Sequence, residues 1–362
     1  MTGSVADDRN GGGAPSPERL AEIVRRGLNL SSAAPVRLSE VGEFSNINYV
    51  YRVEVPDGSL YLKVVPERPK RFPVRLPRER VFSEAEGLRR FRGLAGGAIL
   101  IPEVVFVDDE EMALGMSDVG EGRQVLFSIL SERFDLLMEQ AEPLGRALGR
   151  IHGGTRGGGT PRPAEEEAII RRVIFDGLLA PGAQQVFPDL WMAVNAEMQA
   201  YKECLIHGDL WSKNLLVRGS EPVALVDFEG VCYGDPAFDL ATLIAVALVP
   251  TLDQTSLLAD ALVFVSRLLQ VWSSSCGSED WADAVLPRAF WAVACFLAAR
   301  GFGPFAYSMT EAGRRRLAQL ARSLAEDSPI TLDAFRARVI QHADLAPRQA
   351  AAANAQSSSE AN

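Results

Sequence analysis

The stretch Leu205–Leu243, LIHGDLWSKNLLVRGSEPVALVDFEGVCYGDPAFDLATL, decides how the rest of the chain is read. It gathers His207, four aspartates (Asp209, Asp227, Asp235 and Asp239), Asn214 and Glu229 around two short apolar runs. Leu215-Leu216-Val217 and Val223-Ala224-Leu225-Val226 read as strands, and Arg218-Gly219-Ser220-Glu221-Pro222 between them has the composition of a turn. A hairpin centred near Ser220 sets Asn214 beside Asp227, with Asp209 on the loop leading in. An amide oxygen, a carboxylate and a second carboxylate nearby form a site for a hard cation such as Mg²⁺. Solvated strand ends explain any one of these residues, but not the whole set at this spacing.

Asp209 and Asn214 stand five residues apart, and Asp227-Phe228-Glu229 follows the hairpin. This order matches the phosphoryl-transfer signature H-R-D-L-x-x-x-N followed by D-F-G, with Gly208 in place of Arg and Glu229 in place of the last Gly.

Bulk composition sets the frame. The chain has 362 residues, 47% of them hydrophobic, and a net charge of −10. Its mean hydropathy is +0.03. This is an ordinary globular composition, long enough for one large domain or two lobes. The acidic balance argues against nucleic acid as a partner. Four cysteines (Cys204, Cys232, Cys276, Cys295) lie far apart without a C-x-x-C pair, which disfavours zinc sites and disulfide frameworks. Three histidines (His152, His207, His342) are too few for a multi-imidazole metal site. The first residues lack the basic and apolar blocks of a signal peptide. The apolar runs near residues 240–250 and 289–299 read as too short to cross a bilayer. The expectation is a cytoplasmic protein without a membrane partner.

Residues 1–16 and 348–362 read as disordered tails. Ser16-Pro17-Glu18-Arg19 opens an amphipathic helix that runs to about Leu30. Strands follow around Val36–Leu38, at Tyr49–Val55 and, after a Pro56-Asp57-Gly58-Ser59 turn, at Leu60–Val65. Lys63 interrupts that last apolar strand. The segment Pro66–Arg80 carries six cations and four prolines, so it is an irregular loop, read either as solvated or as leaning over an anionic substrate. A helix over Val81–Leu94 offers Glu84 or Glu86 to Lys63. Strands at Ile99–Val107 and Met112–Met116 flank a solvated acidic turn, Asp108–Glu111. Ser117–Gly122 then leads from a β-rich lobe (residues 17–120) to a helical one (residues 121–347). There a helix spans Leu136–His152, and His152 reads as a packed rather than a catalytic residue. The glycines of 153–159 lack the Lys-Ser/Thr ending and the preceding strand of a phosphate loop. Helices are expected at 164–179, 188–205, 257–272, 281–299, 310–326 and 331–339.

Taken together, residues 35 to 330 resemble the aminoglycoside phosphotransferase and choline kinase group. The H-G-D-x4-N motif at 207–214 and Asp227-Phe228-Glu229 carry the likeness. The resemblance implies an α+β, protein-kinase-like bilobal fold and an ATP- and Mg²⁺-dependent kinase for a hydroxyl of a small molecule. It gives Asp209 the acceptor proton, and it gives the metal to Asn214 and Asp227, with support from Glu229. Lys63, oriented by Glu84, is to bind the α- and β-phosphates. Ser45, Asn46 and Asn48 are to cover the phosphates, and Met116, Ser117 and Val119 are to form the hinge that bonds adenine. Asp239 matches an aspartate that braces the catalytic loop.

Within the group the layout is most similar to methylthioribose kinases, including Phe72 where those tend to carry Trp, and Arg80 followed by Glu84. Phe72, Arg300 and Asp209 are then acceptor contacts, although Gly301 stands where those kinases tend to have a second arginine. Arg300, Arg314-Arg315-Arg316 and the 68–80 loop favour a neutral or anionic sugar, sugar-like or amino-alcohol acceptor over a polycation. Three other readings are an aminoglycoside resistance kinase, a catalytically silent nucleotide-binding protein and a protein kinase. The third lacks room for an activation segment, and a homodimer is the protein partner the resemblance admits.

Overall fold

A computed structural model describes residues 14–41, 47–70, 75–159, 162–328 and 331–343. They divide into two compact units, one holding the residues up to Arg90 with Pro102–Glu121, the other Phe91–Ile101 with Gly122 onward.

The first unit is built on a five-stranded antiparallel sheet. Helix α1 (Pro17–Gly27) opens it, with Ser16 Oγ accepting from the Arg19 amide at 3.3 Å and Pro17 in the first turn. Strands β1 (Arg37–Glu40), β2 (Tyr49–Val55) and β3 (Gly58–Val64) follow, then helix α2 (Arg80–Ala95), β4 (Val104–Asp108) and β5 (Ala113–Ser117). Spatial order is β1-β2-β3-β5-β4, so β3 is central. Its side chains alternate between faces. Leu60, Leu62 and Val64 join Leu20, Ile23 and Val24 of α1 in one buried cluster. Lys63 therefore emerges on the opposite face.

Two expectations change in this unit. The 108–111 turn is not simply solvated: Asp108 is buried and accepts from Arg26 at 2.5 Å, while Glu111 accepts from Arg19. Arg19 and Arg26 lie about two turns apart on one face of α1, so the turn fastens the leading helix. The basic loop is likewise occupied largely within the unit. Arg78 donates to the carbonyls of Val65 and Glu111, Arg80 to those of Leu76, Pro77 and Pro66, and Lys70 pairs with Glu40. Guanidiniums enclosed by prolines, which lack N–H groups of their own, take up the free carbonyls of an irregular backbone.

The second unit is mostly helical. In order it contains β6 (Gln124–Val125), α3 (Leu126–Ile129), α4 (Phe134–Glu139), α5 (Ala141–Thr155), α6 (Ala164–Arg172), a π-helical turn (Val173–Leu179), α7 (Ala180–Val186) and α8 (Trp191–Ala200). Strands β7 (Cys204–Ile206), β8 (Leu215–Val217), β9 (Ala224–Leu225) and β10 (Cys232–Gly234) come next. They precede α9 (Pro236–Asp253), α10 (Leu258–Ser275), α11 (Glu279–Phe302), α12 (Glu311–Glu326) and α13 (Leu332–Ala343).

The single helix expected over 136–152 is two, because Gln140 at the break donates to the Glu221 carbonyl and accepts from the Val223 amide. The helix expected over 188–205 ends at Ala200, and Cys204–Ile206 pairs with β10 instead. The strand expected at 99–107 is shorter: Leu100 makes only an isolated bridge to Ala224 within the second unit.

The apolar runs also lie in longer helices than the sequence reading assumed. Pro236–Asp253, Thr255–Ser275 and Glu279–Phe302 are each long and apolar enough to cross a membrane by length and composition. In the first of these, 94% of the apolar window is buried inside the protein. A helix apolar on all sides is also what the centre of a bundle requires.

Candidate active site

In the second unit, the central strand pair β7–β10 delivers His207 and Gly208 into a tight loop. Gly208 has φ +78°, and a Cβ there would stand 2.4 Å from the Gly230 carbonyl oxygen. Only glycine supplies both that conformation and that closeness. Asp239, in the first turn of α9 and fully buried, accepts from the amides of His207 (2.8 Å) and Gly208 (3.0 Å). His152 approaches the same carboxylate at 3.2 Å through Nε2, and its Nδ1 accepts from Trp272 Nε1 at 3.1 Å. That leaves the ring proton on Nε2, donating to Asp239. His152 is a packed brace, as its sequence position suggested, and Asp239 clamps the loop.

The loop then fixes Asp209. Its amide donates to His207 Nδ1 at 3.2 Å, and Asn214 Nδ2 donates to the Asp209 carbonyl (2.9 Å) and to Oδ2 (2.8 Å). Burial pushes the Asp209 carboxyl up to about 6, the Arg300 charge pulls it down, and Asp227 pushes it up again. At that value it remains mostly ionised at neutral pH, the state in which it accepts a proton.

The hairpin register is one residue short of the expected pairing. Leu215 faces Leu225 and Leu216 faces Ala224, and the Val226 amide donates to the Asn214 carbonyl at 3.0 Å. Val226, not Asp227, therefore stands opposite Asn214. Asp227 lies one residue beyond the ladder in the left-handed region (φ 64°, ψ 72°), where a short 3₁₀ turn, Phe228–Gly230, begins. A non-glycine residue held there costs on the order of 1–3 kcal/mol, and such strain concentrates at functional positions. The electrostatic effect of Asp227 on Asp209 shows that the two carboxylates share one locality all the same.

Sequence reasoning missed what holds this turn. Arg162 is buried and donates to the carbonyls of Glu229 and Val231, while pairing with Glu166. Phe228 packs edge-on against His207 (4.6 Å between centroids) and Phe91 (5.2 Å). An arginine 65 residues upstream of the motif carries no local signal in the sequence.

In the first unit, Lys63 Nζ bonds Glu84 Oε1 at 2.7 Å, with both side chains almost fully buried. Glu86 instead pairs with Arg90, so the choice left open between the two acids falls on Glu84. Asn48 is buried, and its Oδ1 accepts from Arg80 at 3.0 Å; it braces that arginine instead of presenting its oxygen openly. Met116 and Ser117 end β5, and Val119 follows two residues on. Between them Asp118 accepts from Arg52 (3.1 Å), Ser59 (2.8 Å) and the Gly120 amide (2.8 Å), which pins the stretch. Ser45, Asn46 and Phe72 lie outside the described residues.

The comparisons add the family. A family model described as the phosphotransferase enzyme family, APH, matches residues 43–263. The chain belongs to the APH phosphotransferase family. It is a small-molecule phosphotransferase with an alcohol group as acceptor, and the α+β kinase-like architecture read from the sequence stands. No curated protein matches this APH chain. Solved structures similar to it include a choline/ethanolamine kinase family protein from Mesorhizobium loti, 17% identical, covering 89% of this chain and 99% of that one at a TM-score of 0.49. Amicoumacin kinase hAmiN is 15% identical, with 81% and 89% coverage and a TM-score of 0.48. Spectinomycin phosphotransferase APH(9)-Ia is 13% identical, with 91% and 100% coverage and a TM-score of 0.48.

Proposed function

We propose that this phosphotransferase moves the γ-phosphoryl group of ATP, with Mg²⁺, to a hydroxyl of a sugar, sugar-like or amino-alcohol acceptor, in the manner of methylthioribose kinases. The observation that carries the reading is Asp209, tied twice to Asn214 and electrostatically linked to Asp227.

The residues fit a hard cation. Asn214 uses its Nδ2 on Asp209, which leaves its amide oxygen available as a ligand. Among the described residues no cluster of three or more His, Cys, Asp or Glu side chains could hold a metal; the set proposed is one or two carboxylates with an amide. Mg²⁺ suits such a set because it keeps several waters. When bound, it neutralises phosphate charge. Asn214 and Asp227 would hold it, with Glu229 in support.

Lys63, kept in place by Glu84, binds the α- and β-phosphates. Met116, Ser117 and Val119 serve adenine. Asp209 accepts the hydroxyl proton as the acceptor oxygen bonds the γ-phosphorus and the bond to the ADP oxygen breaks. Retention of Lys63, Asp209, Asn214 and Asp227 speaks against a silent nucleotide-binding protein. Four free, buried cysteines agree with a cytoplasmic setting.

Purified protein with ATP and Mg²⁺ tests this against a panel of sugars, amino alcohols and aminoglycosides, read as ADP release. The expected result is turnover of a sugar or amino alcohol and loss of slow ATP hydrolysis in Asp227→Ala. Preference for kanamycin-type polyamines would overturn the acceptor class, and an Asp227→Ala protein as active as the parent would overturn the mechanism.

A further inference from the structure

Among the described residues, the late helices of the second unit contain one buried cation without a hydrogen-bond or ion-pair partner. Arg315 pairs with Glu311 at 3.6 Å, and Arg316 donates to the Leu252 carbonyl at 2.8 Å. Arg300, in the last turn of α11, is only 9% exposed, yet among the described residues its guanidinium makes no hydrogen bond or ion pair. It lies over the Trp211 ring, 2.9 Å from the centroid, and Trp211 is two residues from Asp209. The chain after α11 folds back so that the Tyr307 amide donates to the Arg300 carbonyl at 2.7 Å. Tyr307 Oη then meets Ser212 Oγ at 2.6 Å. Phe127, Trp211 and Tyr307 form a continuous aromatic wall, with centroids 5.0–6.1 Å apart, and Lys213 lies 4.9 Å above Phe127.

A guanidinium has five donors, and the Arg300 nitrogens are not among the fully enclosed unpartnered atoms of the described residues, so they stay reachable although most of the residue is buried. Burial lowers the Arg300 pKa to about 10, so it stays charged at neutral pH. Stacking on the indole face holds the guanidinium without supplying an acceptor. The acid whose charge reaches it is Asp209. Elsewhere in the unit Asp239 serves the loop amides, Glu166 pairs with Arg162, Glu167 with Lys202 and Asp235 with Arg288. Asp209 and Asp227 have the roles given above. The place beside the base therefore offers a positive fork and flat rings, the opposite of what a polyamine needs.

We propose that Arg300 anchors the acceptor and that the acceptor carries an oxyanion, a carboxylate or a phosphate, close to the hydroxyl that is phosphorylated. This rests on Asp209 and Asp227 acting as above. The guanidinium takes the oxyanion through two parallel N–H···O bonds, the acceptor's apolar face lies on Trp211 and Tyr307, and the hydroxyl reaches Asp209.

Matched probes test it on the full chain: gluconate against glucose, glycerate against glycerol, and glucose 6-phosphate against glucose, with ethanolamine and kanamycin as the cationic arm. Turnover is read as ADP release. Binding is read independently as thermal stabilisation by each probe in the presence of a non-hydrolysable ATP analogue. The expected result is that at least one acidic member is favoured over its neutral partner by about tenfold or more in kcat/KM or in binding. That preference collapses in Arg300→Gln through KM and partly returns in Arg300→Lys. The inference is overturned if neutral or cationic members bind as well as or better than the acids, if no acid binds, or if Arg300→Gln lowers kcat equally for both members of a pair. The wild-type ratios decide even if a variant fails to fold. Failure of the kinase reading looks different, because ADP release would then persist in Asp227→Ala.

Discussion

Lys63 and Arg300 are both buried cations, and they differ in one respect. Lys63, on the central strand of the first unit, has Glu84 at 2.7 Å. Arg300, on the last turn of α11 in the second unit, has an indole face and the more distant charge of Asp209. A buried pair is internally balanced and holds its geometry whether or not a ligand is present. A buried cation without a carboxylate partner is a standing cost that a protein carries where a ligand uses the charge. Under the proposed reading, the first arrangement serves chemistry common to all substrates and the second serves the choice among them.

The largest expected effect tests the proposed base, whose charge reaches Arg300. Asp209→Ala should lower kcat by about 10²–10⁴-fold, while calorimetry still detects nucleotide binding. Activity within tenfold of the parent would remove Asp209 as the base. Next comes the pair itself. Lys63→Met leaves Glu84 buried without its cation and should cost about 3–5 kcal/mol in denaturant unfolding. The double variant Lys63→Met/Glu84→Leu should recover most of that stability but no activity. If the single variant were as stable as the parent, the pair would be no internal balance and the contrast with Arg300 would fail.

Gly208→Ala comes third. It forces a side chain into a left-handed conformation and against the Gly230 carbonyl, at a cost of about 1–2 kcal/mol for the backbone alone, visible as a lowered Tm together with reduced turnover. Arg300→Met sharpens the comparison most directly. Removing an unbalanced charge while keeping an apolar stem should leave stability within about 1 kcal/mol of the parent, in contrast to Lys63→Met. A loss as large as that of Lys63→Met would mean that the fold does balance Arg300.

Legibility in the sequence followed the range of the interactions. The ends of β2, the buried strand that carries Lys63 and the hairpin after Asn214 could be read because strand alternation and turn composition act over a few residues. The hairpin register was missed by one, since a left-handed residue at Asp227 is set by what surrounds the turn and not by the turn itself. Asn48 and Arg80 were read as part of a phosphate-facing segment and a basic loop, whereas the structure makes them partners of each other. Arg162 gave no sign, because its role depends on carbonyls 67 and 69 residues away.

The sequence by itself determined the reaction: the acid, amide and lysine types at their spacings define phosphoryl transfer, and those spacings survive in any fold that keeps the hairpin and the sheet. Only the tertiary structure decided which charges remain available. Six cations in the 66–80 loop and four late arginines looked equivalent along the chain. Folding gave most of those described a carbonyl or carboxylate partner and left Arg300, beside Asp209, with none among the described residues. Charge is written in the sequence, but its neutralisation depends on distance in space, and the Arg300 guanidinium and the Trp211 ring meet across 89 positions of chain.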